Sequence, residues 1–126
     1  MKNNKGIHFI FDFIDVKISK IEHYQKEINQ ILDMVIKEAN LNQIDKSSNI
    51  FLGDNSPPGF ANVRVLDESH ISAHSYSDQG ILAIDIFTCG NLENGKLAAN
   101  LFKKYFKKSF PTSKLINDLE IDRFTY

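Results

Sequence analysis

Ile81-Leu82-Ala83-Ile84-Asp85-Ile86-Phe87-Thr88 is the stretch that decides the fold. Successive side chains of an extended chain point to opposite faces. Leu82, Ile84 and Ile86 therefore share one face, and Ile81, Ala83, Asp85 and Phe87 share the other with Cys89 just beyond. The first face is purely aliphatic and suits a cover of helices. The second mixes apolar groups with a carboxylate and a thiol, which is not the composition of an ordinary solvated face.

Working outward, Phe60 to Leu66 and Ile71 to Tyr76 are short, partly β-branched runs, separated by Asp67-Glu68-Ser69-His70 and by Ser77-Asp78-Gln79-Gly80. That spacing predicts a meander of antiparallel neighbours. From Gly6 to Val16, Ile7, Phe9, Phe11 and Phe13 alternate with His8, Ile10, Asp12 and Ile14, which predicts a further strand. A helix is expected from a Ser19 cap to Ala39, because Ile21, Tyr24, Ile28, Ile31, Leu32 and Val35 recur at spacings of three and four. Residues 40 to 49 read as a polar connector, 50 to 53 as a short apolar piece and Asp54-Asn55-Ser56-Pro57-Pro58-Gly59 as a turn. A second helix is expected from Leu92 to Lys108 with Leu97, Leu101, Tyr105 and Phe102 inward, and a last strand from Leu119 to Phe124.

Two helices on one face of an antiparallel sheet make a two-layer α+β domain, expected to span residues 1 to 126 as one unit. Phe87 and the second face of the first strand leave an apolar patch uncovered, the usual mark of an interaction surface. The expectation is a homodimer whose sheets stack face to face in an αββα arrangement.

Fifteen Lys and Arg against sixteen Asp and Glu give a net charge of -1. Such a balance supplies no field to gather nucleic acid or an acidic membrane, so a small molecule is the expected ligand. The lysines at 103, 104, 107 and 108 read as a solvated helix end. Lys2 and Lys5 ahead of the apolar run from Ile7 to Ile14 imitate a signal peptide, but Asp12 and Asp15 interrupt it and no small-residue cleavage site follows. A single cysteine permits no internal disulfide, so a reducing, cytoplasmic setting is the simplest expectation.

Glu68-Ser69-His70, Ser72, His74 and Asp85-Ile86-Phe87-Thr88-Cys89-Gly90, with Gly6-Ile7-His8 and Asp12 upstream, resemble the signature of the prokaryotic S-adenosylmethionine decarboxylase proenzymes. That resemblance implies a chain that cuts itself between Glu68 and Ser69, giving 1–68 and 69–126. The Ser69 hydroxyl attacks the Glu68 carbonyl to form an ester. Loss of the Ser69 α-proton then expels the Glu68 carboxylate, and hydrolysis of the resulting dehydroalanine releases ammonia and leaves a pyruvoyl group at residue 69. This pyruvoyl cofactor would capture the substrate amine as a Schiff base and accept the electrons freed as carbon dioxide leaves.

By the same resemblance His74 is the processing histidine and Cys89 the proton donor. Read without it, a lone histidine is more often a satisfied structural residue, and an isolated cysteine more often a buried small hydrophobe. Ser69 and His74 lie an odd number of positions apart, so an unbroken strand puts them on opposite faces. A bend or bulge is expected near Glu68 to His70.

The chain departs from the family where the nucleoside should lie. Ala61 stands where a processing serine is usual, which predicts slower cleavage unless Asn62, Ser72 or water supplies the hydrogen bond. Asn55 replaces an aromatic that stacks on adenine, and Ser75-Tyr76-Ser77-Asp78 replaces Thr-Trp-Pro-Glu. Asn55, Tyr76 and Asp78 are thus the expected substrate-binding positions. S-adenosylmethionine is the favoured substrate. Arginine or ornithine is the alternative, with Asp78 facing the cationic end, and a non-catalytic regulatory homologue is a further one. A hydrolase built on Cys89 and His74 lacks an orienting acid.

Overall fold

The computed structural model describes residues 5–124. Six strands form one antiparallel sheet, β1 (Gly6–Ile14), β2 (Gln43–Phe51), β3 (Gly59–Leu66), β4 (Ser69–Tyr76), β5 (Ile81–Cys89) and β6 (Lys114–Arg123), in the order β2-β3-β4-β5-β1-β6. Two helices, α1 (Ile21–Glu38) and α2 (Leu92–Ser109), cover one face. This is the two-layer α+β architecture expected.

The core forms where the period-two strands meet the amphipathic helices. Ile7, Phe9, Phe11 and Phe13 of β1 and Leu82, Ile84 and Ile86 of β5 are buried against Tyr24, Ile28, Ile31, Leu32 and Val35 of α1 and Phe102 and Phe106 of α2. The run that imitates a signal sequence is β1, and Lys2 lies outside the described residues. Among those residues no helix is long and apolar enough to cross a membrane.

Ser19 does not cap α1: the N-cap position is Lys20, and no side chain bonds the first turn. The supposed connector of residues 40 to 49 contains most of β2, an edge strand whose residues are almost all exposed. With no buried face to fill, nothing imposes apolar alternation on it. Its backbone pairs with β3 from Gln43 opposite Leu66 to Phe51 opposite Gly59. β6, the other edge, starts five residues earlier than expected for the same reason.

The inward face of α2 is also rotated from expectation. Leu97 is exposed, Leu101 and Tyr105 are half-buried, and Gly95, Ala98, Ala99, Phe102 and Phe106 face the sheet. Small residues let the start of α2 lie close on β5. A Cβ added at Gly95 would come within 2.1 Å of the Thr88 hydroxyl. A leucine cannot occupy that contact, so the large aliphatics turn outward.

One buried charge was hidden in a strand that reads as apolar. Arg64 of β3 is fully buried. Its guanidinium donates to Asn62 Oδ1, Asp33 Oδ1, Gln43 Oε1 and both the main-chain oxygen and Oδ1 of Asn29, at 2.7 to 3.2 Å. These bonds fasten α1 and β2 to β3. Removing one member of a buried charged network costs about 3–5 kcal/mol when the partner charge stays buried. Asp33 is exposed enough to rehydrate, so Arg64→Ala should cost about 3 kcal/mol in urea denaturation, at the lower end of that range.

Candidate active site

Ser69 opens β4 immediately after a two-residue turn, Asp67-Glu68, with Leu66 paired directly to Ser69. Glu68 adopts φ +57°, the left-handed region that costs a residue with a Cβ about 1–2 kcal/mol. The expected bend is therefore a tight turn that strains the residue before Ser69. The pairing of β4 with both neighbours runs on without a register shift, so the bulge is absent.

Ser69 faces the helices, as Ile71 and Ala73 do, and lies beside the end of β5. The Cys89 main-chain N–H donates to Ser69 Oγ at 3.1 Å, fixing the hydroxyl at the mouth of a cleft of about 160 Å³. Asp67, Glu68, Cys89, Asn42, Asn91 and Asn94 also line this cleft. Gly90 follows with φ +78°, a conformation that L side chains rarely adopt, and its turn lets Asn91 cap α2 by accepting from the N–H groups of Glu93 and Asn94. Ser69, Glu68 and the Cys89 main chain are thus brought together, while the Cys89 thiol lies on the open face beside Gly6.

His74 is not with them. It is exposed on the open face of the sheet, opposite that of Ser69 and five residues along an unbroken strand, about 17 Å at the usual rise. Its cross-strand neighbours are Ala61 and Ala83. Their methyl groups leave the imidazole free to meet another surface. His74 and Cys89 also stand far apart along β4 and β5, so one chain cannot pair them as a hydrolase would.

Tyr76 joins His74 in a second cleft of about 210 Å³, whose other walls include Phe51, Ser56, Pro57 and Phe60. Asn55 lies in the adjoining exposed loop. Asp78 is exposed in a single 3-10 turn, Ser77–Gln79. The candidate residues therefore fall into two groups at opposite ends of β4: Ser69, Glu68 and Cys89 at one, His74, Tyr76, Asn55 and Asp78 at the other.

Between them the open face carries a polar string. His8 Nε2 lies 3.0 Å from Asp85 Oδ1, Ser72 Oγ donates to Asp85 Oδ2 at 3.5 Å, and Arg123 approaches His8 Nδ1 at 3.5 Å while lying over the Phe87 ring. Ile10, Ile81, Leu119 and Ile121 surround it, partly or well exposed. Asn62 cannot substitute for the hydroxyl missing at Ala61: it is fully buried on the helix side and bonded to Asn29 and Arg64. Ser72 does share the open face with His74.

Asn42, Asn91 and Asn94 were not singled out from sequence. Asn91 had a signal, an asparagine just ahead of a helix. Asn42 had one too, since Asn40-Leu41-Asn42 follows the last turn of α1. Among the described residues no group of three or more His, Cys, Asp or Glu is arranged to hold a metal ion.

Residues 7–117 match the family described as S-adenosylmethionine decarboxylase. The S-adenosylmethionine decarboxylase proenzyme of Persephonella marina is 32% identical over 107 residues, 85% of this chain and 77% of that relative. The protein of the same name from Thermoplasma volcanium is 33% identical over 113 residues, 90% of this chain and 81% of that relative. That of Sulfurihydrogenibium sp. strain YO3AOP1 is 34% identical over 93 residues, 74% of this chain but only 66% of the relative's length. A crystal structure of the adenosylmethionine decarboxylase from Aquifex aeolicus VF5 superposes with TM-score 0.72 at 24% identity, covering 95% of this chain and 91% of that one, which establishes the common fold.

Proposed function

Because the chain belongs to the S-adenosylmethionine decarboxylase family, we propose that it cuts itself between Glu68 and Ser69 and decarboxylates S-adenosylmethionine with the pyruvoyl group so made. The observation that carries this is the state of the scissile residues: Glu68 strained at φ +57° and the Ser69 hydroxyl held by the Cys89 N–H beside an open cleft. Release of left-handed strain favours chain scission there. A hydroxyl already oriented loses little entropy in attacking the neighbouring carbonyl.

The pyruvoyl group supplies an electron sink for the carboxylate's electrons. Residue 69 fits that role, because it opens onto a cleft at the end of β5. Cys89 carries a proton for the substrate carbon after carbon dioxide departs; a thiol suits the task because its proton is labile near neutral pH. His74 serves as the base for processing.

With Ser69 and His74 at opposite ends and on opposite faces of β4, a single chain does not bring them together. A second copy stacked on the open face can reach Ser69 only round the end of β4, where it follows the Asp67-Glu68 turn, and a two-fold axis makes any such contact reciprocal. The Ser69 end of one protomer then meets the His74 end of its partner. A homodimer of the αββα kind, with two active sites each built from both chains, is the assembly we propose. A cytoplasmic setting rests only on the single unpaired cysteine.

The choice of an adenosyl substrate over arginine or ornithine rests on the relatives' names and on the walls of the His74 cleft. Asn55 offers no ring, but Phe51 and Tyr76 there are each two-fifths exposed, 41% and 44%, and present apolar faces on which an adenine can stack. Side-by-side assays of carbon dioxide release from the three substrates should show S-adenosylmethionine turned over and the two basic amino acids not. Phe51→Ala should then raise KM about three- to tenfold with little change in kcat, as loss of ground-state stacking does. Turnover of arginine or ornithine alone contradicts the adenosyl assignment.

A further inference from the structure

The segment that presents the scissile bond is gripped by Asn42, a residue on the wall of the cleft that no step above uses. Asn42, between α1 and β2, accepts from the Asp67 N–H through its main-chain oxygen at 3.0 Å, and its side-chain Nδ2 donates to Asp67 Oδ2 at 2.9 Å. Both bonds fall on the residue before Glu68. The loop that carries Asn42 is itself fixed. Asn40 turns left-handed at φ +57°, its N–H reaching Lys37 O and the Leu41 N–H reaching Ile36 O, the paired closure of a helix C-terminus. Leu41 packs against the core.

Asp67 is therefore pinned to the loop that closes α1, while Ser69 is pinned by the Cys89 N–H on its other side. Only Glu68 lies between the two anchors, and it is the residue in the left-handed conformation. Were Asp67 free, the turn could relax toward ordinary backbone angles and carry the Glu68 carbonyl away from the Ser69 hydroxyl.

We propose that Asn42 is a positioning residue for self-cleavage, acting through Asp67 to hold Glu68 in its strained conformation until Ser69 attacks. This rests on the self-cleavage proposed above. After the cut, Asp67 and Glu68 end the N-terminal fragment, so the Asn42 grip on Asp67 acts in maturation.

The test is the rate at which freshly purified full-length chain converts to two fragments, followed by intact mass for wild type, Asn42→Ala, Asp67→Ala and the double variant. Wild type should convert, and each single variant should convert about tenfold more slowly, the fold-change of one lost charge-assisted hydrogen bond. The double variant should be no slower than either single one, because both remove the same contact. Asp67→Asn, which keeps an acceptor oxygen, should recover most of the rate. The uncut form of Asn42→Ala with Ser69→Ala should melt as Ser69→Ala alone does, which separates slow cleavage from a weakened fold. Wild-type conversion by Asn42→Ala overturns the proposal while leaving self-cleavage intact. So does slow conversion with a fall in melting temperature that Asp67→Asn does not recover, which marks Asn42 as merely structural. If wild type itself never converts, the underlying reading fails first, and Asn42 has no step to serve.

Discussion

Ser69→Ala leaves a single uncut chain with no measurable carbon dioxide release from S-adenosylmethionine. The substitution removes one oxygen, yet two steps of the proposed chemistry depend on it: it is the nucleophile that breaks the Glu68–Ser69 peptide, and by leaving with the Glu68 carboxylate it allows dehydroalanine, and then the pyruvoyl group, to form. Loss of a covalent catalytic group lowers turnover on the order of 10⁶-fold. The fold should survive, because the hydroxyl contributes one hydrogen bond, from the Cys89 N–H, on the order of 1 kcal/mol. A melting curve close to that of the wild-type chain, with uncut mass and no activity, separates this outcome from simple unfolding. A Ser69→Ala chain that still releases carbon dioxide contradicts the assigned chemistry, and a wild-type chain that stays uncut would instead favour a regulatory homologue.

The second large effect concerns how the site is assembled. His74→Ala alone should slow cleavage by about 10²–10⁴-fold, the range for removal of a general base. Mixed with Ser69→Ala, it should be rescued. The His74→Ala chain retains Ser69, and the Ser69→Ala chain retains His74; a two-fold dimer brings these together in one of its two sites. Co-refolding the two inactive chains should therefore cut the His74→Ala chain, and only that chain, up to about the half of it that finds a Ser69→Ala partner. If His74 served Ser69 within one chain, mixing would cut neither. The geometry motivates the first outcome, since the two side chains stand on opposite faces of a continuous strand.

Much of this architecture was legible in the sequence because burial imposes a period. Ile7 to Phe13 and Leu82 to Ile86 are buried on one face and alternate, and Tyr24 to Val35 recur as a helix facing that core does. β2 and most of β6 are exposed edge strands, held by main-chain pairing to one neighbour, and leave no such trace. The face of α2 was misjudged at Leu97 because close packing over Thr88 selects Gly95 and Ala98, residues whose small size carries little hydropathy signal. Arg64 was hidden for the opposite reason. Apart from Asn62 two residues away, its partners come from α1 and β2, and no local pattern announces the charge.

For the site, the resemblance supplied residue identities, and the odd spacing of Ser69 and His74 posed the geometric question. The expected remedy was a bend that would reunite them. A turn does strain Glu68, but it lies ahead of β4 and leaves the two side chains apart. Strand parity, the more elementary rule, keeps the two side chains on opposite faces. Asn42 escaped notice because its partner, Asp67, is distant in sequence and meets it only through the β2–β3 pairing.

The most direct test is intact mass of the purified wild-type protein under denaturing conditions, before and after borohydride treatment with S-adenosylmethionine present. The account predicts two fragments, 1–68 ending in an ordinary glutamate and 69–126 beginning with a pyruvoyl group that gains the mass of the trapped amine. One unbroken chain of 126 residues with serine at position 69, inert to borohydride, contradicts it.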